Sequence, residues 1–303
     1  VDTRRRSFLL LIVIYLGFVS LGLPDGSFGV AWPEVYPDLR LPLGLAGTIM
    51  TVGTLFTAVS GFSSGWVLGR WRTGPVVLVS CLLTAIGLLI TSQARSAAWL
   101  YLSVVPLGFG AGAVDAGLNG YVAKHYTGRH MNWLHACWGI GATAGPLVIG
   151  WALAAGHGWR GGYLVIGVTQ LVLAGLFLAT LGLWSGVPER AVVIADAGGR
   201  DAAARNLPAD STAGWLSPAI FALYVAAELT TGLWAGTVLV AGRGFAAAEA
   251  AFCTACYYGA ITGGRFLIGF IVDRWGNRRV IAAGTFVSLA GCVLFGFAGS
   301  LLL

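Results

Sequence analysis

Nine stretches of apolar sequence, each long enough to cross a bilayer as a helix, leave this chain few ways to fold. A spanning helix needs about 20 mostly apolar residues. The stretches run roughly over 7–32, 43–69, 74–93, 97–123, 132–156, 160–184, 215–241, 246–272 and 279–303. Pro and Gly punctuate the joints, as at Trp32-Pro33, Gly74-Pro75 and Gly156-His157-Gly158. Charged residues make up 10% of the chain and hydrophobic ones 57%. A soluble domain carries roughly 25% charged residues. So little charge cannot cover a water-facing surface, but it suits one that meets lipid. The 46 glycines fit membrane helices packed closely through small side chains. The expected class is an all-α, multi-pass membrane protein.

The net charge of +6 does not point to nucleic acid, because the cations sit in short loops between apolar runs. With the N-terminus inside, the cytoplasmic set is Arg4, Arg5, Arg6, Arg70, Arg72, Lys124, Arg129, Arg190, Arg200, Arg205, Arg274, Arg278 and Arg279. The outer set is Arg40, Arg95, Arg160 and Arg243, and Arg265 falls within a span. Thirteen against four places the N-terminus in the cytoplasm. Arg4-Arg5-Arg6-Ser7-Phe8 resembles a twin-arginine signal, but the apolar run continues too far and no small-x-small cleavage site closes it. It reads as a first membrane helix with a cytoplasmic anchor.

The one long connection, 185–214, holds Pro188, Gly198-Gly199, Pro208, three Arg and four acidic residues. It reads as a cytoplasmic linker between an N-terminal six-helix half, 1–184, and a second half, 215–303. The cysteines all lie in apolar segments. Cys253 and Cys256 form a C-x-x-C, but no second pair or nearby His completes a metal site, so no metal or cofactor is expected. No metalloprotease, nucleophile-elbow or phosphate-loop pattern is present, and the loops are too short to hold a domain; an enzyme is not expected.

Two loops resemble each other across six membrane helices. One is Gly269-Phe270-Ile271-Val272-Asp273-Arg274-Trp275-Gly276-Asn277-Arg278-Arg279; the other is Gly65-Trp66-Val67-Leu68-Gly69-Arg70-Trp71-Arg72-Thr73-Gly74. The pattern G-x-x-x-D-R-x-G-x-R-R resembles the signature loop of the major facilitator superfamily. The earlier copy is degenerate, with Gly69 in place of the acid. The resemblance implies a helical bundle of six plus six around a linker, and a gating role for Gly269, Asp273, Arg274, Gly276, Arg278 and Arg279. Only about three helices follow the linker here, so the chain reads as a fragment, or a gene product short of its last helices.

Ionisable groups at membrane depth are costly and read by default as functional. Asp25 lies late in the first span, where Pro24 and Gly26 free backbone groups to line a cavity, or else it reaches the outer interface. Asp115 stands in the fourth span with Asn119 one turn on, and Glu228 in the seventh with Trp234 beyond. At 1.5 Å per residue, Asp25 is about 27 Å and Asp115 about 13 Å from the inner ends of their spans, toward opposite ends of a path. His135 begins the fifth span and reads as interfacial or as a ligand; Arg265 is placed to snorkel or to serve a site.

Asp115-x-x-x-Asn119, with Asn132-Trp133-Leu134-His135-Ala136-Cys137-Trp138-Gly139, resembles the fucose/glucose–proton symporter branch of the superfamily. That likeness implies proton carriers at Asp25, Asp115 and Glu228. It also implies substrate contacts at Asn119, Asn132, His135, Trp138 and Trp234, with His135 where sugar-binding members have Gln. The expected function is proton-coupled uptake of a sugar or similar small polar solute by a monomer in the inner membrane. Gly141-x-x-x-Gly145-Pro146 also resembles part of a drug–proton antiporter motif, so efflux stands as an alternative, and a non-transporting fragment or sensor as another.

Overall fold

The structure is a computed structural model and describes residues 3–126, 128–184 and 212–301. Ten α-helices account for nearly all of it. They are α1 (Thr3–Asp25), α2 (Ser27–Asp38), α3 (Leu45–Trp71), α4 (Thr73–Ser92), α5 (Ala97–His125), α6 (Gly128–Ala154), α7 (Gly158–Ala179), α8 (Thr212–Thr237), α9 (Ala247–Trp275) and α10 (Asn277–Leu301). Eight helical spans among the described residues are long and apolar enough to cross a membrane. The fold is an all-α membrane bundle. Most of the 185–214 connection lies outside the described residues.

The first span differs from its expected form. It does not end at Trp32-Pro33 but runs from Arg5 to Asp38, 34 residues, as α1 and α2 joined at Gly26. Pro33 and Pro37 stand inside α2. The two helices part at Gly26; Pro24 has no N–H for the Ser20 carbonyl oxygen one turn back, which accepts from the Gln170 amide instead. Asp25 is therefore about 20 Å short of the far end of its span rather than at the interface.

Two apolar clusters hold α1–α7 together. One gathers Leu10, Ile14, Phe18, Val77, Leu118 and Phe177 toward the arginine-rich end of the bundle; the other gathers Trp32, Ile49, Leu88, Leu100, Ile149 and Ile166 toward the opposite end. A polar knot is buried in the same bundle. Gln170, fully buried, donates to the Ser20 carbonyl oxygen at 2.6 Å and accepts from the Ser20 hydroxyl, while the Cys81 thiol donates to the Gln170 backbone oxygen at 3.3 Å. It ties α1, α4 and α7 with each polar group partnered, which burial at membrane depth demands.

Small residues bring α1 and α6 into backbone contact. A Cβ on Gly22 would lie 2.0 Å from the Trp138 carbonyl oxygen, and one on Gly145 would lie 2.2 Å from that of Leu23. The Gly141-x-x-x-Gly145 pattern is thus a helix-packing surface in this molecule. α6 also packs along α9, and α2 packs on α8. These seams join the helices on either side of the long connection. α10 turns its apolar side chains outward, with Phe286 and Val287 each more than two-thirds exposed.

The two similar loops take similar form. α9 ends at Trp275 and α10 starts at Asn277, with Gly276 between them at φ +79°. α3 ends at Trp71 and α4 starts at Thr73, with Arg72 between them at φ +61°. Each pair of helices turns on a single residue of positive φ at the aligned position. Gly276 adopts that conformation without steric cost, and Arg72 does not.

Candidate functional site

A cavity of about 900 Å³ opens in the bundle, and the chain's membrane-embedded charges converge on it. Asp25 reaches it from α1, Asp115 from α5, Asn132, His135 and Trp138 from α6, Glu228 from α8 and Arg265 from α9. The spacing along α1 explains how Asp25 arrives there. Gly22 and Gly26, four residues apart, press that face onto α6, and Asp25 shares the turn between them. The Trp138 indole N–H then donates to Asp25 Oδ2 at 2.8 Å.

The far wall carries a second polar group. Arg265 Nη2 stands 3.5 Å from Glu228 Oε2 and donates to the Tyr224 hydroxyl at 3.3 Å. Its guanidinium lies 5.2 Å from the Trp138 ring centroid, within cation–π range. Arg265 points into the cavity and does not snorkel. His135 is inside as well, set edge-to-face against Phe18 at 5.6 Å, so the interfacial reading fails for it.

Around these groups stand hydroxyls that no sequence pattern singled out. Thr54, Thr57, Thr84, Thr91 and Ser103 line the cavity, each donating to a carbonyl oxygen of its own helix. Their protons are committed, so toward the cavity they offer lone pairs. Thr54 and Thr57 sit one turn apart on α3, and Thr84 and Thr91 two turns apart on α4; that periodicity was the available signal. The wall is otherwise apolar, with Phe18, Phe28, Leu107 and Tyr163 among its residues.

Three expected site groups lie elsewhere. Asn119 is off the cavity wall but donates to Asp115 Oδ1 at 3.0 Å, so it acts on the site through that carboxylate. Its own Oδ1 is buried with no partner among the described residues. Trp234 packs against the apolar cluster far from the arginine-rich end and does not line the cavity. In the loop set, Arg274, Gly276, Arg278 and Arg279 are exposed around the α9–α10 turn. The surroundings of Gly269 and the side chain of Asp273 lie outside the described residues.

The family model for the Major Facilitator Superfamily matches residues 14–303. The chain belongs to the major facilitator superfamily. Its members are transporters, and this chain is a multi-pass membrane protein. A curated relative, an MFS-type efflux pump of Mycolicibacterium smegmatis, is 28% identical over 196 residues. That match takes in 63% of this chain and 45% of the relative, so the chain spans less than half the relative's length. Among solved structures, the crystal structure of a D-xylose-proton symporter superposes with a TM-score of 0.63 at 14% identity, over 89% of this chain and 70% of that one. At such identity the likeness is one of fold.

Proposed function

We propose that this facilitator couples proton movement to the uptake of a sugar or similar small polar solute, with Asp25 and Asp115 as proton carriers and Glu228 as a third acid beside them. In this reading the chain divides into a six-helix half, 1–184, a cytoplasmic linker, 185–214, and a second half from 215. It lies in the inner membrane with its N-terminus inside, as the cation asymmetry of the loops supports.

One observation carries the reading. Carboxylates from helices of both halves face one cavity large enough for a small solute, and neither Asp25 nor Asp115 meets a cation in an ion pair among the described residues. A carboxylate without a counter-ion at membrane depth takes up a proton more readily than it stays charged. Hydroxyl lone pairs, Asn132 and His135 then offer hydrogen bonds to a polyhydroxy solute, with Trp138 as a flat apolar surface.

Efflux is the second reading, and one observation favours it: the relative that is an efflux pump. Proteoliposomes carrying a pH gradient separate the two. Uptake of radiolabelled sugars driven by inward proton flow, and reduced at least tenfold in Asp25→Asn or Asp115→Asn (about 1.4 kcal/mol or more), supports symport. Undiminished coupled uptake in both variants overturns the carrier assignment. Proton-driven export of lipophilic cations without sugar uptake establishes the antiporter.

A further inference from the structure

We propose that Trp138 is a positioning residue through which the Asp25 carboxyl of the first half sets the Arg265–Glu228 pair of the second. The proposal rests on the reading of Asp25 as a proton carrier. Trp138 touches both groups at once. Its indole N–H is spent on Asp25 Oδ2 at 2.8 Å, and its ring carries the Arg265 guanidinium at 5.2 Å. Tyr258 meets the same ring edge-on at 6.2 Å.

The backbone at Trp138 is held on both sides. On one side Gly22 is pressed against the Trp138 carbonyl oxygen. On the other, the next residue, Gly139, faces α9 so closely that a Cβ there would lie 2.1 Å from Thr262 Oγ1. Thr262 is one helical turn before Arg265. The side chain therefore stands where α1, α6 and α9 come together, on the seam between the halves.

An ionised carboxylate holds an N–H donor about twice as strongly as a neutral acceptor does. Protonating Asp25 loosens its hold on the indole and frees the ring to turn. The Arg265–Glu228 contact is long at 3.5 Å, so the ring face is a substantial part of what keeps the guanidinium in place. A turned ring leaves Arg265 to Glu228 and Tyr224 alone, which it already meets at 3.5 and 3.3 Å. The charge state of one half thus reaches the other through one side chain.

Other titratable groups share the space. Asp115 faces it from α5, His135 from α6, Tyr163 from α7, Tyr224 and Glu228 from α8, and Arg265 from α9, while Tyr258 of α9 abuts the Trp138 ring. The test isolates Asp25 from them by substitution. Spin labels at Arg70 on α3 and Ile281 on α10, with exposed Cys253, Cys256 and Cys292 replaced by serine, report the separation of the halves in liposomes. Distance distributions are recorded from acid to alkaline pH with protons as the only ligand.

The expected result is a pH-driven shift in the parent, lost in Asp25→Asn and lost equally in Trp138→Phe, which keeps a ring and removes the N–H. Arg265→Gln, which leaves the Asp25 bond in place, abolishes the shift too and decides the matter if Trp138→Phe does not fold. A shift that survives in Trp138→Phe or in Arg265→Gln, while Asp25→Asn loses it, overturns the role of Trp138 and leaves the carrier reading standing. A shift that survives in Asp25→Asn overturns the carrier reading itself. A parent that does not respond to pH overturns the proposal.

Discussion

Gly22→Ala adds one methyl group at the point where α1 meets α6. The new Cβ would stand 2.0 Å from the Trp138 carbonyl oxygen and 2.7 Å from the Ala142 amide nitrogen. Both are backbone atoms within a helix, so neither swings aside. Real Cβ atoms essentially never approach closer than 3.0 Å, so the helices must part by about 1 Å at this level. The Asp25–Trp138 bond, now 2.8 Å, then stretches to roughly 3.8 Å and is lost. Overpacking of this kind costs about 1–3 kcal/mol. Thermal unfolding of the detergent-solubilised protein, followed by tryptophan fluorescence, measures it. Gly175→Ala is the control, because a Cβ there meets nothing within 4 Å and alanine is the better helix former. The expected result is a lowered midpoint for Gly22→Ala and an unchanged or raised one for Gly175→Ala. Equal midpoints for the two variants would show that α1 and α6 are not in backbone contact, and the placement of Asp25 would lose its basis.

Further expectations concern stability away from the cavity. Gly276→Ala forces a side chain into the left-handed region at φ +79° and should cost about 1–2 kcal/mol, whereas Arg72→Gly at φ +61° should not destabilise; thermal midpoints of opposite tendency check the pair. Gln170→Leu removes both the acceptor of the Ser20 hydroxyl and the donor to the Ser20 carbonyl oxygen in an apolar bundle, while the Cys81 thiol keeps its backbone acceptor, and should cost about 1–3 kcal/mol, read by the same unfolding assay. Asp38→Asn removes the charge from a pair with Arg160 at 2.7 Å, but both side chains are about two-fifths exposed. Its loss should be no more than about 1 kcal/mol, visible as a small midpoint shift that shrinks further in high salt.

The likeness between the two short loops was legible because a left-handed turn between helices needs a particular backbone, and Gly276 advertises it. Arg72 at the matching position gives no such sign, and its positive φ is seen only in the structure. The first span runs past Pro33, which in the sequence alone has the form of a stop. Inside a bundle, neighbouring helices hold the segment on both sides of a proline, so α2 continues to Asp38.

The acids were found in sequence because charge is rare among apolar runs, and each stands out. Arg265 stood out equally, yet its direction did not. Snorkelling and pairing with Glu228 differ only in which face of α9 meets α6, and that is a matter of packing. The cavity hydroxyls gave even less signal, since Thr and Ser are ordinary in membrane helices. Trp234 shows the reverse error: near Glu228 in sequence, it turns away from the cavity into the apolar cluster.

What the sequence determined alone was the solvent and the secondary structure. Apolar runs of bilayer length admit helices, and that depends only on residues near one another in the chain. Which side chains meet was decided by the tertiary structure. Asp25 and Trp138 are 113 residues apart and touch because Gly22 and Gly145 let two backbones close on each other. Arg265 faces Glu228, Tyr224 and Trp138 because α6 packs along α9. A hydrogen bond depends on tenths of an ångström between helices, and no local pattern of residues carries that distance.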